Sequence, residues 1–193
     1  SIEPNTFSTC TSLTSLTIPN SVTSIGEGAF TSCFSLTSIT LPDRITSIEP
    51  STFAASGLTT IIIPDRVTSI GEYAFRGCYL LTSVTISDNV KSIDEYAFYE
   101  CGSLKSITIG NSVSLIENHA FNGCGALTEC YCYAINPPTI YDDVFTANSA
   151  TLYVPIGCGS AYKSSAWGKY YFDKIVEMLY NKRVRLKFII RRN

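Results

Sequence analysis

The eight cysteines are the residues of this chain best suited to chemistry. A thiolate can act as a nucleophile, ligate zinc or form a disulfide. Five of them stand three residues after a phenylalanine: Cys10, Cys33, Cys78, Cys101 and Cys124. Zinc ligands cluster at C-x₂₋₄-C spacing, which steps of 23 or more residues do not supply. We therefore interpret the five as one column facing the core, whose S–H groups donate weakly to loop carbonyls.

Three further cysteines lie outside this column. Cys130 and Cys132 form a C-x-C pair, but they occupy the positions that Ile107 and Ile109 hold one period earlier. Both side chains are therefore expected to point inward and fill the core. The sequence leaves two alternatives open, a disulfide with Cys158 and a metal site.

Any Ser-His-Asp triad or Cys-His dyad would have to use His119, the single histidine of the sequence. It occupies a variable position shared with Tyr73 and Tyr96, on the side away from the predicted strands, where a general base has no cleft. These three side chains are predicted to form a short aromatic stripe. Asp142 and Asp143 are adjacent carboxylates that point opposite ways on an extended chain, so we predict a solvated turn there. The sequence thus predicts no enzyme, no metal and no cofactor.

Internal repetition indicates what positions these residues. Phenylalanine recurs every 22 or 23 residues, and a leucine follows most of these phenylalanines by six. The repeated residues are Phe7, Phe30, Phe53, Phe75, Phe98 and Phe121. The third copy differs from the rest, because Ser56 replaces the cysteine and Leu58 comes one residue early. A period of this length is typical of solenoid proteins.

Each leucine opens an L-x-x-L-x-L run whose last four positions alternate apolar and polar residues. This pattern predicts a short strand with one buried face, ended by Pro or Gly and a turn-forming Asn or Asp. A second inward pair follows, such as Val22 and Ile25. The Gly-Glu-x-Ala-Phe stretch after it is long enough for about one helical turn, with Glu at the positive helix start. Because a 23-residue unit cannot bury its apolar face alone, neighbouring units must stack.

The form Ile-Gly-x-x-Ala-Phe-x-x-Cys-x-x-Leu resembles the BspA-like leucine-rich repeats. The resemblance implies an α/β, β-dominated solenoid, right-handed, with a parallel sheet on its concave side. Six repeats are predicted over residues 1–133, a C-terminal cap over 134–181 and a basic tail over 182–193. Coils of such a solenoid are expected to fan apart away from the sheet, which disfavours disulfides between neighbouring thiols.

The predicted cap resembles the family's C-terminal segment in "NPPTIYDDVF", "TLYVP", "SAYKSSAWGKYYF" and "KIVE". We expect an irregular coil ending near Phe145, a strand, an amphipathic helix and a final strand. Four aromatic side chains are expected to cover the open end of the core. They are Trp167, Tyr170, Tyr171 and Phe172.

The outward strand positions are mostly Ser and Thr, which are easily hydrated and fit a plain solubilising face. The alternative is a face that contacts a large partner, with selectivity given by its departures from Ser and Thr. These candidate partner-binding residues are Ile62, Lys105, Glu129, Tyr131 and Tyr133. Tyrosine is favoured at binding hot spots, and both tyrosines lie near the cap.

Charge is distributed unevenly along the chain. Residues 1–181 carry 8 Lys and Arg against 16 Asp and Glu, whereas the last twelve residues carry six basic groups and no acid. We interpret this tail as a solvated terminal strand or the start of a following segment. Contact with lipid or nucleic acid is the alternative, and we expect neither a nucleic-acid partner nor a membrane span, since no apolar run approaches about 20 residues.

The predicted function is a non-enzymatic protein-binding or adhesion module. The resemblance implies a cell-surface or secreted protein whose partner is an extracellular protein, such as a host matrix or plasma protein. We expect the module to be a monomer. The alternative function is a structural spacer or stalk domain without its own ligand.

Overall fold

Each repeat of the sequence forms one coil of a β-solenoid of about seven turns. The computed structural model describes residues 1–141, 143–146 and 149–179. We number the coils 1 to 7 by the phenylalanines Phe7, Phe30, Phe53, Phe75, Phe98, Phe121 and Phe145. The predicted fold class is confirmed, and helix is confined to the C-terminal part of the described chain.

The main sheet is built from the L-x-x-L-x-L runs. Its strands are β1 (Ser15–Thr17), β2 (Ser38–Thr40), β4 (Thr60–Ile62), β6 (Ser83–Thr85), β8 (Ser106–Ile109), β10 (Glu129–Cys132), β12 (Thr151–Pro155) and β13 (Lys174–Met178). β1 pairs with β2, and the other six form one parallel sheet in the order β13-β12-β10-β8-β6-β4. Equivalent repeat positions pair without a shift, as Val84 does with Ile107. One face of this sheet therefore carries the inward apolar positions and the other carries the Ser and Thr rows.

A minor sheet extends along the solenoid beside the main one. Its two-residue strands are β3 (Ser47–Ile48), β5 (Ser69–Ile70), β7 (Ser92–Ile93), β9 (Leu115–Ile116) and β11 (Thr139–Ile140). They pair in the order β11-β9-β7-β5-β3. The second inward pair of each repeat thus forms a sheet of its own, which the sequence pattern did not predict.

The helical turn expected at Gly-Glu-x-Ala-Phe is wrong. The chain makes successive turns there, with one left-handed residue two positions before the phenylalanine and another two positions after it. Backbone amides bond to the next coil, as Phe30 N–H does to the Thr52 carbonyl (2.8 Å) and Phe75 N–H to that of Ala97 (2.7 Å). The amides between them bond three residues back within the same turn, as Ala29 N–H does to the Gly26 carbonyl (3.2 Å), so each amide has a partner without a continuous helix.

The core is a ladder of stacked phenylalanine rings from Phe7 to Phe145. Neighbouring ring centres lie 4.9–5.4 Å apart with interplanar angles of 3–13°. This spacing is close to the roughly 4.8 Å between strands of a sheet. The coils therefore diverge only slightly between the sheet and the ladder, less than the expected fanning suggested.

The deletion in the third repeat is absorbed at Gly57. The Gly57 N–H donates to the Cys33 carbonyl at 3.1 Å. A β-carbon on Gly57 would collide with the carbonyl oxygen of Phe34, so this close approach needs glycine. The main sheet is interrupted between β2 and β4, next to this shortened loop.

The cap continues the main sheet and then covers its core. Strand β12 is followed by helix α1 (Gly159–Ser164), a π-helix (Trp167–Tyr171) and β13. The predicted amphipathic helix is thus two short helices. Trp167 and Phe172 are buried as expected, whereas Tyr170 is 73% exposed and does not cover the core. No helix in the described part of the chain is long and apolar enough to cross a bilayer.

Candidate binding surface

The cap end of the main sheet carries a stacked tyrosine pair. Tyr131 in β10 and Tyr153 in β12 occupy paired register positions. Their ring centres lie 4.6 Å apart at an interplanar angle of 12°. Tyr153 was not among the predicted site residues. Aligning "TLYV" with "ECYC" as the next strand of the sheet would have placed it beside Tyr131.

Glu129 lies beside this pair, two residues before Tyr131 in β10. Burial and the nearby Glu129 carboxylate raise the pKa of Tyr131 to about 12, and the Tyr153 and Tyr133 phenols contribute to the same shift. The Tyr131 hydroxyl is therefore protonated at neutral pH. We call Glu129, Tyr131 and Tyr153 the tyrosine cluster.

The other predicted residues lie at different distances from this cluster. Lys105 is exposed immediately before β8, and its carbonyl accepts from Thr128 N–H at 3.0 Å, so it lies beside the Glu129 end of the cluster. Ile62 is 54% exposed and shares the row of Tyr131. It lies three strands away, or about 14 Å at the usual strand spacing. The structure thus groups Glu129 with Tyr131, places Lys105 nearby and leaves Ile62 apart.

Tyr133 lies beyond the end of β10, where its N–H donates to the Ile109 carbonyl at 3.0 Å. It lines a groove of about 760 Å³ together with Pro137, Pro138 and Ile156. Phe121 and Phe145 are 24 residues apart, one more than most neighbouring pairs, and the loop after Tyr133 contains this extra residue. Tyr133 therefore belongs to the edge of the sheet rather than to its Ser and Thr rows.

Four thiols of the predicted column are buried and donate as expected. Each Sγ donates to the carbonyl of the phenylalanine in the preceding coil. The four distances are 3.1 Å for Cys33, 3.1 Å for Cys78, 3.2 Å for Cys101 and 3.4 Å for Cys124. Cys10 is exposed, so the expectation that it faces the core is wrong. Within the described chain, no coil packs over the outer side of coil 1.

Cys130 and Cys132 both point inward and are fully buried. All eight cysteines are free, including Cys158, so the core-filling interpretation is confirmed. Burial raises the pKa of Cys130 and brings those of Cys132 and Cys78 to about 11. Because the thiolate is the reactive form, these protonated thiols are poor nucleophiles at neutral pH. Among the described residues, no group of three His, Cys, Asp or Glu side chains could hold a metal ion.

The predicted aromatic stripe is confirmed. Tyr73 stacks on Tyr96 at 5.0 Å and Tyr96 on His119 at 4.8 Å. Asp143 has a left-handed backbone (φ 55°) in a turn, whereas its neighbour Asp142 lies outside the described residues. The basic tail over 182–193 also lies outside them, and its interpretation stays a prediction.

Comparisons with known proteins agree with this geometry. The family model described as "BspA type Leucine rich repeat region" matches residues 1–152 in six copies. The crystal structure of a leucine-rich repeat protein from T. pallidum is similar over 91% of this chain and 79% of its own, with 23% identity and a TM-score of 0.65. At that identity, the likeness concerns the fold alone.

Two further crystal structures are similar at lower TM-scores. A leucine-rich repeat protein from Bacteroides ovatus shares 18% identity over 91% of this chain and 64% of its own, with a TM-score of 0.38. A protein described as a leucine rich cell surface protein, from Faecalibacterium prausnitzii, shares 22% identity over 96% of this chain and 65% of its own, with a TM-score of 0.44. The chain thus spans less than two thirds of either protein. No curated protein sequence matches it.

Proposed function

The chain belongs to the BspA-type leucine-rich repeat family, and from this premise we propose that it is a non-enzymatic protein-binding module that contacts its partner with the tyrosine cluster. The repeats themselves form a scaffold of stacked coils. The observation that carries the proposal is the Tyr131–Tyr153 stack, which ends outward rows that are Ser and Thr in the preceding strands except for Ile62.

The cluster is suited to binding because it is both large and ordered. Ser and Thr hydroxyls on an open sheet exchange hydrogen bonds with water and contribute little net affinity. Tyrosine offers a large contact area with few rotatable bonds, and tyrosines are frequent among binding hot spots. The stack with Tyr153 already restricts the Tyr131 side chain. Less conformational entropy is therefore lost when a partner binds.

The other predicted binding residues add contacts beside the tyrosine cluster or farther along the sheet. Lys105 and Glu129 place opposite charges at one edge, which favours one orientation of the partner and faster association. Tyr133 adds contact area at the adjoining groove. Ile62 provides a separate apolar contact farther along the sheet.

The protonation of the buried cysteines and the packing of the histidine support a non-enzymatic role. Burial keeps the thiols Cys78, Cys130 and Cys132 protonated, and the His119 ring is packed against Tyr96. We place the protein at the cell surface or in secreted form, as a monomer, with an extracellular protein as its partner. This placement is carried over from the family resemblance.

Surface plasmon resonance against a panel of extracellular matrix and plasma proteins tests the proposal. The variant Tyr131→Ser with Tyr153→Ser should bind any partner of the wild type more weakly by about 2 kcal/mol or more, as expected for hot-spot residues. The matched control is Thr17→Ser with Thr40→Ser, which changes the equivalent outward positions in β1 and β2, away from the cluster, and should bind normally. Equal weakening in both variants, or in neither, would contradict the cluster as the binding centre.

A spacer without its own ligand is the second candidate function. It is favoured by the regularity of the outward rows, which are Ser and Thr in β1, β2, β6 and β8. A complete lack of binding across the panel would support this candidate.

A further inference from the structure

The residue two positions before each ladder phenylalanine has a left-handed backbone, and its side-chain type changes along the solenoid. This column holds small residues in coils 1 to 3 and large rings in coils 4 to 6. These are Asn5, Gly28 and Ser51, followed by Tyr73, Tyr96 and His119, the last three each with φ 57°. A bulky side chain at positive φ is sterically disfavoured, whereas Gly and Asn tolerate it. Since coils 1 to 3 form without rings at this position, the fold itself does not require them.

The rings form one continuous ridge on the turn side of coils 4 to 6. Tyr96 is stacked between Tyr73 and His119, and Tyr99 packs edge-on against it at 5.2 Å. All four side chains are half-buried. Stacking covers the faces of the middle ring, so the ridge presents mainly ring edges and hydroxyl groups. We call these four residues the aromatic ridge.

Carboxylates flank this ridge. Every coil from 1 to 6 carries an acidic residue three or four positions before its ladder phenylalanine. They are Glu3, Glu27, Glu49, Glu72, Asp94, Glu95 and Glu117. Glu72 directly precedes Tyr73, and the Tyr73 N–H donates to the Glu95 carbonyl at 3.1 Å, so both acidic residues lie beside the ridge. Partial burial and the charges of these two residues raise the pKa of the Tyr73 phenol.

A cation already packs against one end of the ridge. The Arg76 guanidinium carbon lies 5.7 Å from the centre of the Tyr73 ring. This contact shows that the ridge accepts an arginine side chain beside its carboxylates.

We propose that the aromatic ridge and the carboxylates of Glu72 and Glu95 bind a basic segment of a partner protein. The aliphatic stems of Lys and Arg side chains lie across the ring edges, while their charged heads pair with the carboxylates. The surface complements such a segment in charge. It lies away from the outward face of the main sheet that carries Tyr131, so it is independent of the binding site proposed above.

Fluorescence anisotropy with a labelled peptide of about five Arg-Gly repeats tests this surface on the full chain, beside an uncharged Gln-Gly peptide of equal length. The wild type should bind the basic peptide only, with an affinity that falls as salt rises. The variant Tyr73→Asn, Tyr96→Asn, His119→Asn should weaken binding at least about tenfold, as expected when hot-spot rings are removed. Asparagine is the residue of coil 1 in this column, so thermal unfolding of this variant should stay cooperative.

Two further variants separate the contribution of the carboxylates from any binding at the tyrosine cluster. Glu72→Gln with Glu95→Gln should weaken binding and reduce its salt dependence. Tyr131→Ser with Tyr153→Ser is the control and should bind the peptide as the wild type does. Unchanged binding in the ring variant, or no binding of the basic peptide to the wild type, would overturn the proposal. If the control variant alone loses binding, the peptide binds at the tyrosine cluster and the ridge is excluded.

Discussion

The regular coils and the cap bury the same hydrophobic core in different ways. From Phe7 to Phe145 the rings stack nearly parallel, with interplanar angles of 3–13°. Beyond Phe145 the rings of Trp167, Tyr171 and Phe172 meet it at 56–74°. A parallel stack always exposes another ring face, whereas inclined rings cover the last face and present their edges. Ending a solenoid therefore requires a change of geometry as well as of sequence.

Hydrogen bonding differs between the two regions in the same way. In the coils, backbone amides pair with the next coil, so every repeat offers the same bonds to its neighbour. In the cap, side chains satisfy the last carbonyls. Tyr162 Oη donates to the Ala134 carbonyl at 2.9 Å, and Trp167 Nε1 donates to that of Pro138 at 2.9 Å. Stability in the coils should thus depend on neighbours, and stability in the cap on single side chains.

The largest effect is expected from Phe75→Ala in the middle of the ladder. Phe75 is fully buried between Phe53 and Phe98. Removing its ring should lower the free energy of unfolding by about 3–5 kcal/mol, as for other buried Phe→Ala changes. Denaturant unfolding followed by circular dichroism measures this loss, which should affect adjacent coils because each is held by its neighbours. A loss below about 1 kcal/mol would contradict the dependence of the coils on this ring.

A smaller and more local effect is expected from Tyr162→Phe in the cap. The change removes the donor to the buried Ala134 carbonyl and leaves the ring in place. A buried acceptor without its partner costs about 1–3 kcal/mol. Hydrogen exchange should show faster opening in the cap than in coils 2 to 5. Tyr170→Phe is the matched control, because Tyr170 is 73% exposed. A similar loss of stability from this control would contradict a specific role of the Tyr162 hydroxyl.

Alkaline pH should destabilise the coils, and their contact with the cap, through buried thiols. Burial raises the pKa of Cys78 and of Cys132, whose Sγ lies 3.1 Å from Tyr162 Oη of the cap, from 9.0 to about 11. Between these values the unfolded chain releases a thiol proton that the native state keeps, so stability falls as pH rises. The loss is about 1.4 kcal/mol per pH unit for each thiol.

Unfolding free energies measured between about pH 8 and 11 check this expectation. Cys78→Ala and Cys132→Ala should each make the decline with pH shallower than in the wild type. Cys10→Ala should leave the decline unchanged, because Cys10 is exposed. A wild-type stability that stays flat over this interval would show that the buried thiols ionise without unfolding.

The smallest effect is expected from Ser56→Cys, which completes the thiol column at the third repeat. Ser56 is buried, and its Oγ lies 3.3 Å from Cys78 Sγ. A thiol fits a site already lined by sulfur, so stability should change by less than about 1 kcal/mol. Labelling the native protein with a thiol reagent should modify Cys10 first in both the wild type and the variant. Rapid labelling of the introduced thiol would show that the deletion at Gly57 opens the column to solvent.

Periodic features could be predicted residue by residue. Phe75, Cys101 and Ile107 are buried where the repeat places them, because each has an equivalent in the neighbouring coil that confirms its register. The tyrosine cluster was predicted in part. Tyr131 replaces the Ser or Thr expected at an outward position of the repeat, so the sequence pattern shows it. Tyr153 lies after a loop of changed length, where the repeat period by itself no longer gives the register.

The sequence by itself determined the stacking axis, the inward positions and the strand runs, because a repeated pattern has one register in which every coil buries the same face. The tertiary structure alone decided three features: the turns that replace the expected helix, the small divergence of the coils and the exposure of Cys10. Each depends on what lies above or below a residue in the stack. Contacts between coils satisfy the turn amides, set the ring spacing and cover a thiol, and a single repeat contains none of these contacts.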